Sequence, residues 1–309
     1  MKRISENTVT NSERKTTMCQ HLHFLRYGLA LSAPFSDRAK EAMFQGTVFH
    51  ETMERYHENN APSLKNALEH TEKLRRDSED DFSFSDFNVP EDVGGIANAI
   101  DDMLERYHQK WAHWEFNTVM SEQRLSAWVR HPTTGRKSTR TRFAGKLDLL
   151  VEVRGEHWLV EHKTTSIQLD KWIDTKTYDP QAPTYAWLIK ENTGIEVKGI
   201  IYDLVHTKPP KPADHFQPTK KGDRLRKTTG TPFTTASIFR HALHNHGFTE
   251  FDCEWYGEAL EVMEERERKG FWFKRHIHVF SEVELKRAEQ ELYQVGTYCR
   301  RVSDQTSDL

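Results

Sequence analysis

The stretch from residue 116 to residue 206 limits the fold most narrowly. Three strand-like runs come first, NTVMSEQRLSAWVR, TRFAGKLDLLVEV and HWLVEHKTT, separated by turn-rich HPTTGRK and by the short RGE. Runs rich in β-branched and aromatic residues between such turns are the signature of strands. A helix follows in YDPQAPTYAWLIKENTG. Asp179 and Pro180 open it, its prolines stay in the first turn where N–H groups have no helical partner, and Gly194 closes it. GIEVKGIIYDLVHT is a fourth strand. A meander of three strands, a helix and a further strand predicts a mixed α/β core.

Helices are expected on both sides of that core. Phe44, Val48, Phe49 and Met53 recur at helical spacing in AKEAMFQGTVFHETMERYHENN. SLKNALEHTEKLRRD is a second helix capped by Ser63, and VGGIANAIDDMLERYHQKWAHW a third, ending near Trp114. Residues 208–231 hold prolines, glycines and threonines and read as a basic loop with room for mobility. From TTASIFRHAL onward the pattern is helical again, with Ser281 capping SEVELKRAEQELYQVGTYCRR and the last eight residues fraying. The organisation expected is a helical region 1–115, a core 116–207, the loop 208–231 and a helical region 232–309 packed on the core.

Charge and cysteine content narrow the setting. The net charge of −3 advertises no particular partner, but its distribution is uneven. Residues 130–146 carry six Lys/Arg and no acid, residues 206–228 are similarly basic, and 77–92 are strongly acidic. Such segregation suits a positive groove on an otherwise neutral protein, although solvated loops would look the same. Three scattered cysteines, Cys19, Cys253 and Cys299, point away from a disulfide framework and toward a reducing cytoplasm. No apolar run is long enough to span a bilayer, and the amino terminus has no signal-peptide character.

The end of the third strand, LVEHKTT, is polar where a core strand should stay apolar. Alternate side chains of a strand share a face, so Glu161 and Lys163 point the same way with Leu159 behind them. Asp148, in GKLDLL, is an acid among core residues on the strand before. Pairing through the RGE turn sets it roughly opposite Glu161. Two carboxylates held together repel and raise each other's pKa unless a cation neutralises them. Oxygen ligands suit Mg²⁺ or Mn²⁺, and an adjacent lysine can orient a water or stabilise charge on a phosphate. A cross-strand salt bridge on an exposed face is the other reading of the same residues.

These residues resemble the PD-(D/E)XK nuclease signature, and their neighbours resemble its RecB-type branch. Asp148, Glu161, His162 and Lys163 form the D…ExK pattern, and Gln181 and Tyr185 match a QxxxY motif in the following helix. Gly46 and His50 match an upstream GxxxH, Gly145 and Asp148 match the G-x-x-D strand, and GFWFKRHIHVFSEVELKRAEQEL is similar to the ending of phage members. The resemblance spans about residues 45–295. It implies a restriction-endonuclease-like mixed sheet. Asp148 would bridge the metals, Glu161 and the His162 main-chain carbonyl would add ligands, and Lys163 would position the attacking water. His50 would ligate from across the cleft, while Gln181 and Tyr185 would hold phosphate or the ExK strand. Glu122, in MSEQRL, is a lesser metal-site candidate, equally readable as an exposed strand residue. Taken without the motif, His50 reads as a surface or core residue, and Gln181 and Tyr185 as a cap and a core aromatic.

The function implied is Mg²⁺- or Mn²⁺-dependent cleavage of DNA on one or two ions, leaving 5′-phosphate and 3′-hydroxyl. The nearest reading is an exonuclease processing ends for recombination or repair in a bacterial or phage-infected cell, beside a single-strand annealing or recombination protein. A structure-specific or restriction-type endonuclease and a catalytically silent DNA-binding accessory protein are the alternatives. Arg136, Lys137, Arg140, Arg142, Lys220, Lys221 and Arg224 would flank the cleft and bind backbone. The chain departs from the family in two places. Leu147 stands where the signature has proline, and the cysteine cluster of the iron–sulfur members is missing, so no such cluster is expected and Cys19 reads as a buried apolar thiol. The histidines of HLH, HALHNHG and HIH, without a carboxylate or cysteine in register, read as surface or core residues rather than a zinc site.

Overall fold

The computed structural model describes residues 8–31, 34, 36–58, 62–79, 92–176 and 179–306. Its central feature is one long bent hairpin. β2 (Asn117–Ser121) and β3 (Arg124–Arg130) form one arm, and β4 (Lys137–Lys146) and β5 (Leu149–Val153) the other. Ser121 lies opposite Leu149 and Arg124 opposite Lys146, so one register runs through both halves. Between them both arms break. Glu122 adopts φ 49°, which no extended strand accommodates, and its N–H donates to the Asp148 carbonyl at 2.8 Å. The Leu147 N–H donates to the Gln123 carbonyl at 3.1 Å.

Below the bend, β2 and β5 belong to a five-stranded sheet of order β2-β5-β6-β7-β8. Above it, β3 and β4 join β1 (Thr8–Thr10), parallel to β4, in a three-stranded sheet. The expected meander of three straight strands is thereby corrected: its first two strands are each shared between two sheets.

In the larger sheet β6 (Glu156–Thr165) pairs antiparallel with β5 and parallel with β7 (Val197–His206). α7 (Gln181–Thr193) makes the crossover, with Gly194 at φ 77° ending it as expected. α6 (Leu169–Asp174), also between β6 and β7, was not anticipated. β7 is apolar almost throughout because the sheet is covered on both sides. On one face Leu150, Leu159, Ile200 and Leu204 pack with Leu188 and Ile189 of α7 and Leu292 of α10 (Glu282–Thr306). On the other, Val205 and Phe273 meet Phe49 and Met53 of α3 (Asp37–Tyr56), Leu74 of α4 (Leu64–Glu79) and Met103 and Leu104 of α5 (Val93–Trp111). The architecture is the mixed α/β sheet core flanked by helices that the sequence implied.

Three local expectations change. FKRHIHV is not part of a helical tail but β8 (Phe273–Val279), antiparallel to β7, so the segment from 232 contributes a strand to the core. As an edge strand it tolerates the charges that hide its period. Residues 208–231 are anchored rather than loose. Phe216 and Leu225 are buried against α8 (Ala236–Asn245) and α9 (Glu254–Arg268), and the Leu225 N–H donates to the Tyr256 hydroxyl at 2.6 Å. The Thr219 and Arg226 N–H groups reach the carbonyls of Arg224 and Gln217 at 2.8 and 3.0 Å, which makes a tight hairpin with Lys220, Lys221 and Asp223 exposed in its turn. The carboxyl-terminal helix does not fray eight residues early. α10 continues to Thr306 because Val302 is buried, and residues 307–309 lie outside the described residues.

The Ser63 and Ser281 caps are present: Asn66 N–H donates to Ser63 Oγ at 3.3 Å and Glu284 N–H to Ser281 Oγ at 3.2 Å. α5 ends at Trp111, a few residues before Trp114. Most of the acidic stretch 77–92 lies outside the described residues.

Candidate active site

The bend creates the site. Leu149 pairs with Val160, so the next residues toward the bend, Asp148 and Glu161, come opposite each other, as the RGE turn predicted. β5 stops at Leu149, and a side chain takes over the ladder: Asp148 Oδ2 accepts the His162 N–H at 3.0 Å. The same oxygen lies 3.2 Å from Nδ1 of His50, which α3 brings across the end of β5. Glu122, opposite Asp148 in the hairpin, completes a group in which one donor atom each of His50, Glu122 and Asp148 lie within 4.8 Å of one another. Its reading as an exposed residue is corrected, since the φ > 0 corner turns its carboxylate inward to 9% exposure beside Lys146 Nζ.

Glu161 is buried and turned to its own strand face. Its Oε1 accepts from Lys163 Nζ at 2.7 Å and from Gln181 Nε2 at 3.1 Å. Gln181 Nε2 also lies 3.4 Å from the Tyr185 hydroxyl, one helical turn on. The Tyr185 ring fills the space that Gly145 leaves open: a Cβ there would stand 2.5 Å from Tyr185 Cε1. The glycine of G-x-x-D is therefore the seat of the tyrosine of QxxxY.

The electrostatics follow from three carboxylates in a small space. Burial raises the Glu161 carboxyl, and the charge of Asp148 raises it further against Lys163. Burial likewise raises Glu122, with Lys146 pulling the other way. Burial would also raise Asp148, but the His50 hydrogen bond, with Lys163, outweighs it and holds the group at about 2. Burial alone would lower the Lys163 ammonium, yet Glu161 and Asp148 outweigh it and keep it above its usual value. Those two carboxylates thus favour the charged form of Lys163. Clustered O and N donors, with Glu161 and Glu122 raised and Asp148 lowered, fit a hard divalent cation, which His50, Glu122, Asp148 and Glu161 could hold.

Some contributors left no readable pattern in the sequence. Lys15 of α1 (Asn11–Thr17) donates to Gln181 Oε1 at 3.1 Å, and burial lowers its ammonium. The His162 side chain points to the far face, stacked on His57 at 5.3 Å between centroids and 12° between planes. Next to it on β7, buried Asp203 accepts from the Tyr107 hydroxyl and from Arg275 Nε and Nη2 at 3.3 and 3.2 Å. The Arg275 guanidinium is stacked against Trp111 and Trp114 at 4.1 and 3.9 Å.

The basic residues do not all flank this site. Arg142 lies over Trp128 at 5.1 Å and donates to Ser126 Oγ at 2.6 Å. Arg136, Lys137 and Arg140 line, with Tyr293 and Arg300, a cavity of about 400 Å³ at the other end of β4. Nine residue steps along the strand separate Lys137 from Lys146 at the bend, roughly 30 Å at strand rise. The extended geometry of β4 carries these charges away from the carboxylates. Cys19, expected buried, is exposed just before α2 (Gln20–His23); the buried thiol is Cys299.

A sheet that breaks to gather carboxylates, a histidine and a fixed lysine suits a class of phosphodiester hydrolases. The family model of the PD-(D/E)XK nuclease superfamily matches residues 13–306, and the chain belongs to that superfamily. It is therefore a nuclease, of a kind that uses divalent metal ions. Two solved structures are similar at low identity. One, from Eubacterium rectale and provisionally named an exonuclease, is 10% identical with a TM-score of 0.46, over 97% of this chain and 83% of the other. The other, a phage related exonuclease from Haemophilus somnus 129PT, is 9% identical with a TM-score of 0.34, over 84% of this chain and 95% of the other. No curated protein sequence matches. Among the described residues no helix is long and apolar enough to cross a membrane.

Proposed function

We propose that the protein is a Mg²⁺- or Mn²⁺-dependent exodeoxyribonuclease that processes DNA ends in recombination or repair. The observation that carries this reading is the gathering of His50, Glu122 and Asp148 within 4.8 Å, opposite a Glu161 held by Lys163. His50, Glu122, Asp148, Glu161 and the His162 carbonyl would hold one or two ions, which supply charge neutralisation at the phosphate and a more acidic water. Lys163, paired with Glu161, orients the attacking water or stabilises the charge that grows on a phosphate oxygen. Gln181 and Tyr185 hold the Glu161 carboxylate in place. The resemblance of the FWFKRHIHV ending to phage members supports the exonuclease branch. Lys220, Lys221 and Arg224 on the exposed hairpin, Arg142, and Arg136, Lys137 and Arg140 with Arg300 would contact backbone in a salt-dependent way. A single-strand annealing or recombination protein would be the partner.

The test is digestion of end-labelled single- and double-stranded DNA, beside a covalently closed circle, with Mg²⁺, Mn²⁺ or EDTA. Linear DNA is expected to be degraded from its ends with metal only, and Lys163→Ala to lose at least 100-fold of that rate (~2.7 kcal/mol). Undiminished cleavage by Lys163→Ala refutes the site. Cutting of the closed circle refutes the exonuclease reading, and no cleavage with any metal favours a silent binding protein.

A further inference from the structure

The amino-terminal segment reaches the nuclease site from outside its motifs. β1 runs parallel to β4 with Thr10 opposite Ala144, one residue from the glycine that seats Tyr185, so the chain leaves β1 close to the bend. Thr10 then caps α1, its Oγ1 accepting the Glu13 N–H at 3.3 Å. Arg14, with its side chain only 5% exposed, ties that short helix to the start of α7. Its Nη1 donates to the Pro180 carbonyl at 3.1 Å and to Thr184 Oγ1, and its Nη2 to Glu291 Oε2 of α10 at 2.6 Å. With Arg14 held there, the next residue places its ammonium on the catalytic side of α7: Lys15 Nζ donates to Gln181 Oε1 at 3.1 Å.

That contact sorts the amide. Gln181 Oε1 faces the Lys15 ammonium and Nε2 faces the Glu161 carboxylate, each at 3.1 Å. A reversed amide would set its carbonyl against a carboxylate and its NH2 against an ammonium, so both neighbours select the same orientation. An amide whose oxygen accepts from a cation is also the stronger donor at its nitrogen. Lys15 has little other hold: Asp179 Oδ2 lies 3.9 Å away and already accepts from Lys176 Nζ at 2.5 Å. Burial lowers the Lys15 ammonium; Asp179 offsets part of this, and Lys176 and Lys163 add to it, which places the group in the field of the site. At Glu161 the consequence is one-sided. Lys163 Nζ at 2.7 Å and Gln181 Nε2 both take Oε1, and no hydrogen bond from the described residues reaches Oε2.

We propose that Lys15 is a positioning residue of the nuclease site: it orients Gln181 so that the amide holds Glu161 Oε1 and leaves Oε2 to a divalent ion. This rests on the reading of Glu161 as a metal ligand. Lys15 acts through Gln181 and needs no contact with DNA, and Arg14 serves it by fixing α1 on α7.

A double-variant cycle of Lys15→Met and Gln181→Met in the full chain tests the proposal, because methionine keeps both stems and removes only the polar ends. With saturating Mg²⁺ and end-labelled linear DNA, Lys15→Met should lower kcat about tenfold, as loss of a partner behind a metal ligand does, with KM within about twofold. In the Gln181→Met background the same change should alter kcat by less than about twofold. Lys15→Arg, which keeps a cationic donor for Oε1, should recover most of the loss. A raised KM at unchanged kcat, or an equal loss in both backgrounds, overturns the proposal. The same four proteins are unfolded with urea in EDTA, where Lys15 and Gln181 should couple by at least about threefold in the unfolding equilibrium constant. Additive effects there overturn the proposal whether or not DNA is cut, whereas coupling without any cleavage refutes the nuclease reading alone.

Discussion

Replacing Gly145 by alanine probes the fit between the two motifs that hold Glu161. Gly145 does not have positive φ, so alanine meets no backbone penalty there. The obstacle is Tyr185, whose Cε1 would stand 2.5 Å from the new Cβ, about 0.9 Å short of ordinary contact at 3.4 Å. Tyr185 is buried between α7 and the sheet and cannot step aside freely. Overpacking of this kind costs about 1–3 kcal/mol. Any shift of the ring moves its hydroxyl from Gln181 and loosens the amide that holds Glu161, and misplacement by about 1 Å can lower turnover about 100-fold. With Tyr185→Ala as background the obstacle is gone. Gly145→Ala should then stabilise by about 0.4–1 kcal/mol through the unfolded chain. The sign reversal, a coupling of about 1.4–4 kcal/mol, is read from urea unfolding of the four proteins, with nuclease turnover measured in parallel. The same effect of Gly145→Ala in both backgrounds refutes the argument.

Three further outcomes are expected. Asp203→Leu should cost about 3–5 kcal/mol because it strands the Arg275 guanidinium and the Tyr107 hydroxyl, whereas adding Arg275→Met should recover the part due to the unpaired charge and leave about 1–3 kcal/mol for the Tyr107 hydroxyl; urea midpoints decide, and a double variant costing the sum of both singles contradicts it. Burial, then His162, keeps His57 well below its usual pKa, so below about pH 6.5 the unfolded chain binds a proton that the native chain does not. Stability is then lost as pH falls, at about 1.4 kcal/mol per unit for this ring, and His57→Phe should remove that part of the slope between about pH 4.5 and 6.5 while keeping the stack on His162; an unchanged slope argues against it. Neutralising Lys220, Lys221 and Arg224 together should flatten the salt dependence of duplex binding by about 0.9 in log–log slope for each DNA phosphate these side chains neutralise, and filter binding that shows no change removes the hairpin from the DNA surface.

Much of the site was legible because strand and helix periods are local. Two-residue alternation places Glu161 and Lys163 on one face, the thirteen-residue spacing through RGE sets Asp148 against Glu161, and a four-residue helical step aligns Gln181 with Tyr185. Glu122 was readable only weakly, since nothing local says that both arms of a hairpin bend at the same level. Lys15 and the Asp203–Arg275 pair left no pattern, because each depends on an element distant in the chain.

The residues along the chain by themselves determined the element types of the core, the polar end of β6 and the order of the nuclease motifs, all consequences of short-range periodicity and turn chemistry. Tertiary structure alone decided where the hairpin bends, that β8 is a strand, that the basic end of β4 lies far from the carboxylates, and that Glu13 and His23 meet Cys299. Those outcomes rest on packing between segments up to 286 residues apart, the separation of Glu13 and Cys299. Periodicity carries no information over such separations, and only burial of the shared faces selects one arrangement.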